Sequence, residues 1–327
     1  MGLMNEALSA RLLGLGTTER SVAIVGSMNA DYTVTADRLP GPGETVNGGP
    51  LRILPGGKSA NQAASAALLG ACVRMYGAVG SDDNADFLLG RLADAGVDTS
   101  QVRHAEGPSG TTMITVETGG ENTVVYSPGS NALVDVDYIE RHREALAAAS
   151  VLGLCLESPM DTVVAAAHVA HEAGATVLLN DSPFVAELPA QLVEDADILL
   201  VNEHEAARLL GVASMDASGG AGLDWDEVAH RMAQFGFSRS VITLGGDGSM
   251  VFDGEVKHRI APVRVPAVDT TGCGDSFMGT ILAGLAAGLT LAQSARLGSY
   301  VSAYAATGYG AQASYGTARQ VVDRFAG

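Results

Sequence analysis

The chain has 327 residues, of which 47% are hydrophobic, 41 are glycine and 3 are cysteine, and its formal net charge is −18. That length buries a substantial core, as one large α/β domain or two smaller ones. The acidic balance excludes a broad nucleic-acid or anionic-membrane surface, while leaving room for a local anion site made of backbone amides, a metal and a few Lys or Arg.

Residues 1–20 hold Glu6, Arg11, Glu19 and Arg20 without a continuous apolar core, so they read as a flexible leader rather than a secretion signal, ahead of a domain over 21–327. Val22-Ala23-Ile24-Val25 reads as a buried first strand ending in Gly26. The Pro- and Gly-rich stretch from Asn29 to Pro55 contains alternating residues such as Tyr32-Thr33-Val34-Thr35, which predict short antiparallel strands outside the main sheet. Gly57 to Gly70 is alanine-rich and reads as a buried helix, Val73 to Gly80 as a strand, and Asp86 to Gly96 as a helix closed by its glycine. Thr111 to Val116 and Asn122 to Tyr126, around Gly119-Gly120, predict a hairpin. Together with the segment near 30–55, it is expected to form one small lid.

From Val151 strands and helices alternate, which points to right-handed βαβ crossovers and a mostly parallel sheet. A second hairpin turns at Asp253-Gly254. Ser276 to Ala295 carries no charge and is about long enough to span a bilayer. Gly279, Gly284, Gly288, Gln293 and Ser294 dilute it, and a helix buried against the sheet is the expectation for a soluble protein. Cys72, Cys155 and Cys273 are too far apart for a metal-binding pair, so a reducing cytoplasm is the expected setting.

The chemistry concentrates in Asp269-Thr-Thr271-Gly272-Cys273-Gly274-Asp275. Its glycines precede a helix start, where free N–H groups and a partial positive charge attract phosphate. Asp275 either caps that helix, the usual fate of a Gly-Asp pair, or takes a proton from a hydroxyl attacking the phosphate. Asn29 and Asp31, directly after the first strand, offer an amide and a carboxylate suited to sugar hydroxyls, or merely form a turn. Gly56-Gly57-Lys58-Ser59-Ala60-Asn61-Gln62 opens a helix whose glycines either let a sugar ring approach backbone, with Lys58 and Asn61 donating to it, or form a plain glycine-rich loop with a solvated Lys58. Asn202-Glu203-His204-Glu205 either caps a helix or holds magnesium waters, with His204 facing solvent. Thr243-Leu244-Gly245-Gly246-Asp247-Gly248 follows a strand and suits either nucleotide approach or a plain loop. Gly57-Lys58-Ser59 lacks the first glycine of a P-loop, and Gly308-Tyr309-Gly310 has too little chain after it for a dinucleotide fold.

In this order the motifs resemble the ribokinase (PfkB) family of sugar and nucleoside kinases over about residues 21–316. The resemblance extends to Pro40-Gly41-Pro42-Gly43-Glu44-Thr45-Val46, similar to the family's lid segment, and to Leu156-Glu157-Ser158-Pro159, where Glu157 is expected to contact the sugar. Cys273 is a departure, standing where small alanines are usual. The resemblance implies a three-layer α/β/α sandwich with a β lid, and ATP-dependent phosphorylation of a pentose primary hydroxyl, D-ribose at O5. The alternatives are a fructokinase, deoxyribose or adenosine kinase, or a non-catalytic sugar sensor. It implies Asp275 as base within a Gly272, Cys273, Gly274 cradle. Asn29, Asp31, Gly56, Gly57, Lys58, Asn61 and Glu157 would surround the sugar. Asn202, Thr243, Gly245, Gly248 and Gly274 would meet ATP, with Mg²⁺ held indirectly through Asn202 and Glu205. It also implies a potassium site from two loops, Asp269 and Thr271 with Ala305, Gly308, Gly310 and Ser314, and a homodimer through the lid.

Overall fold

Successive side chains of a strand point to opposite faces, and the first strand therefore feeds two separate cores. The computed structural model describes residues 4–212 and 224–326. Helix α1 (Glu6–Leu13) leads into β1 (Ser21–Val25), whose Val22 and Ile24 pack in one buried cluster and Ala23 and Val25 in another. Then come β2 (Asn29–Ala36), β3 (Arg52–Gly56), α2 (Lys58–Leu68), β4 (Cys72–Tyr76), β5 (Ala78–Val79), α3 (Asp83–Asp94), β6 (Arg103–His104), β7 (Gly110–Glu117) and β8 (Asn122–Ser127). The alternating half follows as α4 (Val136–Arg141), α5 (Arg143–Ala147), β9 (Val151–Cys155), α6 (Met160–Glu172), β10 (Thr176–Asn180), α7 (Ala190–Asp195), β11 (Ile198–Asn202), α8 (Glu203–Leu210), α9 (Trp225–Gln234) and β12 (Arg239–Thr243). The chain closes with β13 (Ser249–Asp253), β14 (Val256–Ile260), α10 (Cys273–Ala286), α11 (Leu291–Ala305) and α12 (Ala318–Phe325).

The main sheet runs β14-β13-β12-β11-β10-β9-β1-β4. Its strands from β4 to β12 are parallel, and the β13–β14 hairpin extends one edge antiparallel. Helices α1, α2, α3, α10, α11 and α12 cover one face and α4 to α9 the other, which gives the expected three layers. Small residues set the spacing. A Cβ on Gly153 would come within 2.7 Å of Leu282 of α10, and one on Gly279 within 2.6 Å of the Gln62 carbonyl in α2. The uncharged stretch after Asp275 is thus two packed helices, α10 and α11, separated by Gly288. No helix among the described residues is long and apolar enough to cross a membrane.

The lid is a four-stranded sheet, β3-β2-β7-β8. Both hairpin pairings are antiparallel, but its middle pair departs from expectation: β2 and β7 run parallel, because the long connection through α3 returns β7 beside β2 from the same end. The expected strand from Val73 to Gly80 divides at Gly77, whose N–H donates to the Tyr138 hydroxyl at 3.0 Å, and β5 joins β6 in a small separate sheet.

The expected flexible leader is corrected by α1. The side chain of Asn5 caps it, accepting from the Leu8 N–H, and Leu8, Leu12 and Leu15 form one buried stripe against the α2, α10 and α12 layer. The four-residue spacing places Leu8 and Leu12 on one face of α1, and Leu15 in the 3₁₀ turn Leu15–Thr17 extends it, so the segment has an apolar surface that must be covered. Met4 also donates its N–H to the Phe325 carbonyl at 2.9 Å, tying this segment to α12.

Candidate active site

The parallel strands β1, β9, β10, β11 and β12 finish at one edge of the sheet, where open α/β sheets gather ligands. Residues following these ends supply Gly26, Glu157 and the 244–248 loop, and β11 and β12 themselves end in Asn202 and Thr243. Gly57, at φ +89°, lies against the β1–β2 turn; a Cβ there would meet the Ser27 carbonyl at 2.8 Å and Asn29 N at 2.9 Å. Gly56 is equally constrained, since a side chain would collide with the Asp31 carboxylate. These contacts bring the start of α2 beneath the lid.

Asp275 stands in the first turn of α10, half-buried, with one carboxylate oxygen taking a hydrogen bond from Asn61 at 2.9 Å and the other from Gln62 at 3.2 Å. Asn61 is fixed in turn by Gln312, which donates to its oxygen at 3.0 Å. Removal from water pushes Asp275 up to about 6, against the pull of the Lys58 charge and with repulsion from Glu157. Asn61 was expected to meet sugar hydroxyls; in the structure one amide hydrogen serves Asp275. Gln62, Gln312 and Thr112 were missed, and only Gln62, beside Asn61 at the start of a helix, left a local signal.

Asp31 sits on the inner face of the lid opposite Thr112, whose hydroxyl donates to it. Burial pushes its carboxyl up to about 6 despite that bond. Glu157 receives the Ser27 hydroxyl and the Lys58 backbone N–H, the latter at 3.0 Å. The Lys58 ammonium is half-buried; desolvation would lower its pKa, yet the carboxylates of Asp275 and Glu157 hold it above the usual lysine range. Three carboxylates and one ammonium thus converge under the lid.

On the other side of Asp275 opens a cavity of about 550 Å³, lined by Thr243, Gly245, Gly248, Cys273 and Gly274 among others. The apolar part of its wall, from Val263, Val265, Phe277 and Ala303, escaped sequence reading because it draws on loops and helices far apart in the chain. Gly272 caps α10 with φ +74°, and a Cβ there would meet Ala311 and the Tyr315 hydroxyl. Cys273 N–H is already donated to the Thr270 carbonyl at 3.2 Å. The cradle is therefore narrower than expected, with the Gly274 and Asp275 N–H groups lacking backbone acceptors among the described residues. The Cys273 thiol is pushed up to about 11 by burial and the charges of Asp269 and Asp275, so it is a neutral wall group.

Asn202 and Glu205 form a reciprocal cap: Asn202 Oδ1 accepts the His204 and Glu205 N–H groups, and Glu205 Oε2 accepts Asn202 N–H at 2.8 Å. His204 is exposed. At the far end of the cradle, Asp269 accepts N–H groups from Thr271 and Gly310, each at 2.9 Å, and so joins the two loops. Burial would raise its pKa, but these bonds hold the carboxyl below the usual range. Gly308 packs against Ser314, and Ala305 O accepts the Gly308 N–H.

The pfkB family carbohydrate kinase model matches residues 19–318. A ribokinase of Schizosaccharomyces pombe is 33% identical over 304 residues, covering 90% of this chain and 94% of its own length. One of Haemophilus influenzae is 30% identical over 305 residues, covering 93% and 98%. The structure of Arabidopsis thaliana ribokinase complexed with ribose and ATP superimposes with a TM-score of 0.84 at 26% identity, over 93% of this chain and 98% of that one. With its three layers, lid and cleft in place, the chain belongs to the pfkB family of carbohydrate kinases.

Proposed function

We propose that this chain transfers the γ-phosphoryl group of ATP to the primary hydroxyl of a pentose, D-ribose at O5. The observation that carries this reading is that Asp275 is held by Asn61 and Gln62 at the start of α2 beneath the lid while the residues just before it, Cys273 and Gly274, line the glycine-edged 550 Å³ cavity. The sugar lies under Asn29, Asp31, Gly56, Gly57, Lys58, Asn61 and Glu157, and ATP occupies the cavity beside Thr243, Gly245, Gly248 and Gly274. Asp275 accepts the hydroxyl proton as the oxygen attacks the terminal phosphorus and ADP leaves. The free N–H groups at the start of α10 stabilise the charge that develops on the phosphoryl oxygens.

Magnesium fits the acidic end of β11: with one Glu205 oxygen spent on the cap, the other suits a metal-bound water, and the ion would neutralise phosphate charge. Potassium fits the Asp269 loops, where a carboxylate kept ionised by the Thr271 and Gly310 N–H groups ties the two loops together, and main-chain carbonyls of those loops would supply the remaining oxygens. A homodimer through the lid is favoured by the exposed Ile53, Met113 and Val125 on the lid's outer face. A reducing cytoplasm suits three free cysteines, and the net charge of −18 favours neither nucleic acid nor membranes as partners.

The test is an ATP-to-ADP assay across ribose, deoxyribose, fructose and adenosine. The expected result is the highest kcat/KM with ribose. Preference for another acceptor reassigns the substrate within the family, and ribose binding without turnover identifies a sugar sensor.

A further inference from the structure

Asn131 lies in the turn after the lid strand β8, is fully buried, and belongs to none of the groups placed around the sugar above. Its side chain is nevertheless anchored against the strand that carries Asn29 and Asp31. Met28 N–H donates to it at 3.0 Å, so the receiving atom must be the amide oxygen. The opposite end is then the NH₂ group, which points at the Met28 carbonyl at 3.3 Å and at the Asn29 side chain at 2.7 Å. Two backbone groups, whose donor and acceptor roles cannot change, therefore settle both amides: the Asn29 atom facing Asn131 must be its oxygen. Its nitrogen has no hydrogen-bond partner among the described residues, the bond to Asn131 using only the oxygen. A side chain at Gly110 would fill this spot, since a Cβ would stand 2.1 Å from Asn131 Nδ2 and 2.4 Å from Asn29 Oδ1.

We infer that Asn131 is a positioning residue for sugar recognition, locking Asn29 with its NH₂ group toward the substrate so that the lid presents a donor next to the acceptor Asp31. Residues two apart on a strand share a face. Asn29 thus offers N–H and Asp31 a carboxylate, one oxygen of which is already taken by Thr112. Such a pair fits a vicinal diol, in which one hydroxyl oxygen accepts from Asn29 while a hydroxyl hydrogen goes to Asp31. With the Asn29 amide reversed, two acceptors would face the sugar and one buried bond would be lost. This inference rests on the sugar-site assignment proposed above.

The experiment is a double-mutant cycle on the full chain, reading ribose KM, ATP KM and kcat. Asn131→Asp keeps the shape and the bond from Met28 but offers Asn29 an acceptor, which turns its amide round. Ribose KM is expected to rise about tenfold, the scale of one hydrogen bond, with ATP KM and kcat within about twofold of wild type. In an Asn29→Ala background the same substitution should leave ribose KM unchanged. Asn131→Ala, which removes the lock without adding a buried carboxylate, completes the cycle should Asn131→Asp not fold, and is expected to give a smaller rise that also vanishes in that background. An equal rise in both backgrounds, or parallel rises in ribose and ATP KM, overturns the role of Asn131 alone. An Asn29→Ala variant with wild-type ribose KM overturns the sugar-site assignment and this inference with it.

Discussion

A general base must be ionised at working pH yet basic enough to take a proton, and Asp275 meets both needs because burial raises it while Asn61, Gln62 and Lys58 limit the rise. Asp275→Asn should lower kcat by about 10² to 10⁴, the usual cost of losing a general base, while ribose binding measured by calorimetry persists. In the wild type, kcat/KM should fall below about pH 6. Stability moves the other way. A carboxyl with a folded pKa of about 6 binds more protons folded than unfolded between roughly pH 4 and that value, so its contribution to stability falls as pH rises through the window. Asp275→Asn removes this penalty, and its Tm relative to wild type should therefore rise between pH 4 and pH 7. A difference that stays flat with pH would show that Asp275 is not desolvated in solution. Asp275 was legible because a Gly-x-Gly-Asp run before an uncharged helix is a local pattern. Its supports Gln62 and Gln312 were not, since Gln312 lies 251 positions from Asn61 and only the packed fold brings them together.

Among the elements, α1 was the one misread in kind. Charges at Glu6 and Arg11 masked the short stripe of Leu8, Leu12 and Leu15, whose value depends on a surface built by α2, α10 and α12. Leu12→Ala should cost about 2–5 kcal/mol, the range for deleting a buried leucine side chain, measured by urea denaturation. A loss below about 0.5 kcal/mol, typical of exposed positions, would restore the reading of this segment as a loose leader. The alternating strands and helices from Val151 onward were legible because each buried strand is a short apolar run and each helix has room to cover it. Parallel pairing of β2 with β7 was not, because strand direction depends on where the intervening chain returns. The two loops joined by Asp269 and Gly310 carry another expectation: potassium should raise kcat above sodium at matched ionic strength. Equal rates in potassium, sodium and a bulky organic cation would leave the Asp269 bridge a purely structural tie.

At the scale of the molecule, the lid sorts its residues by alternation. Leu54, Asp31, Thr112 and Tyr126 lie in register across its four strands, and so do Ile53, Tyr32, Met113 and Val125 on the opposite face. Asp31 and Thr112 identify the first row as the one over the cleft, leaving Ile53, Met113 and Val125 exposed on the other side. Such a patch on an otherwise acidic protein is the basis of the proposed dimer. Light scattering should give twice the chain mass for the wild type and a single chain mass for Met113→Glu combined with Val125→Glu. A wild-type chain already at the single mass would rule the dimer out.

The bond from Met4 to Phe325 and the β-bridge from Met4 to Ala326 bring residues from opposite ends of the sequence side by side. A short linker joining residue 4 to residue 326 would therefore turn the described chain into a near-seamless ring. Cutting that ring at the exposed Gly174 turn would place new ends where β10 begins, across the sheet from the catalytic edge. The resulting circular permutant should retain the wild-type KM values, because the order in which these elements are joined matters less to the cleft than the strand ends that frame it.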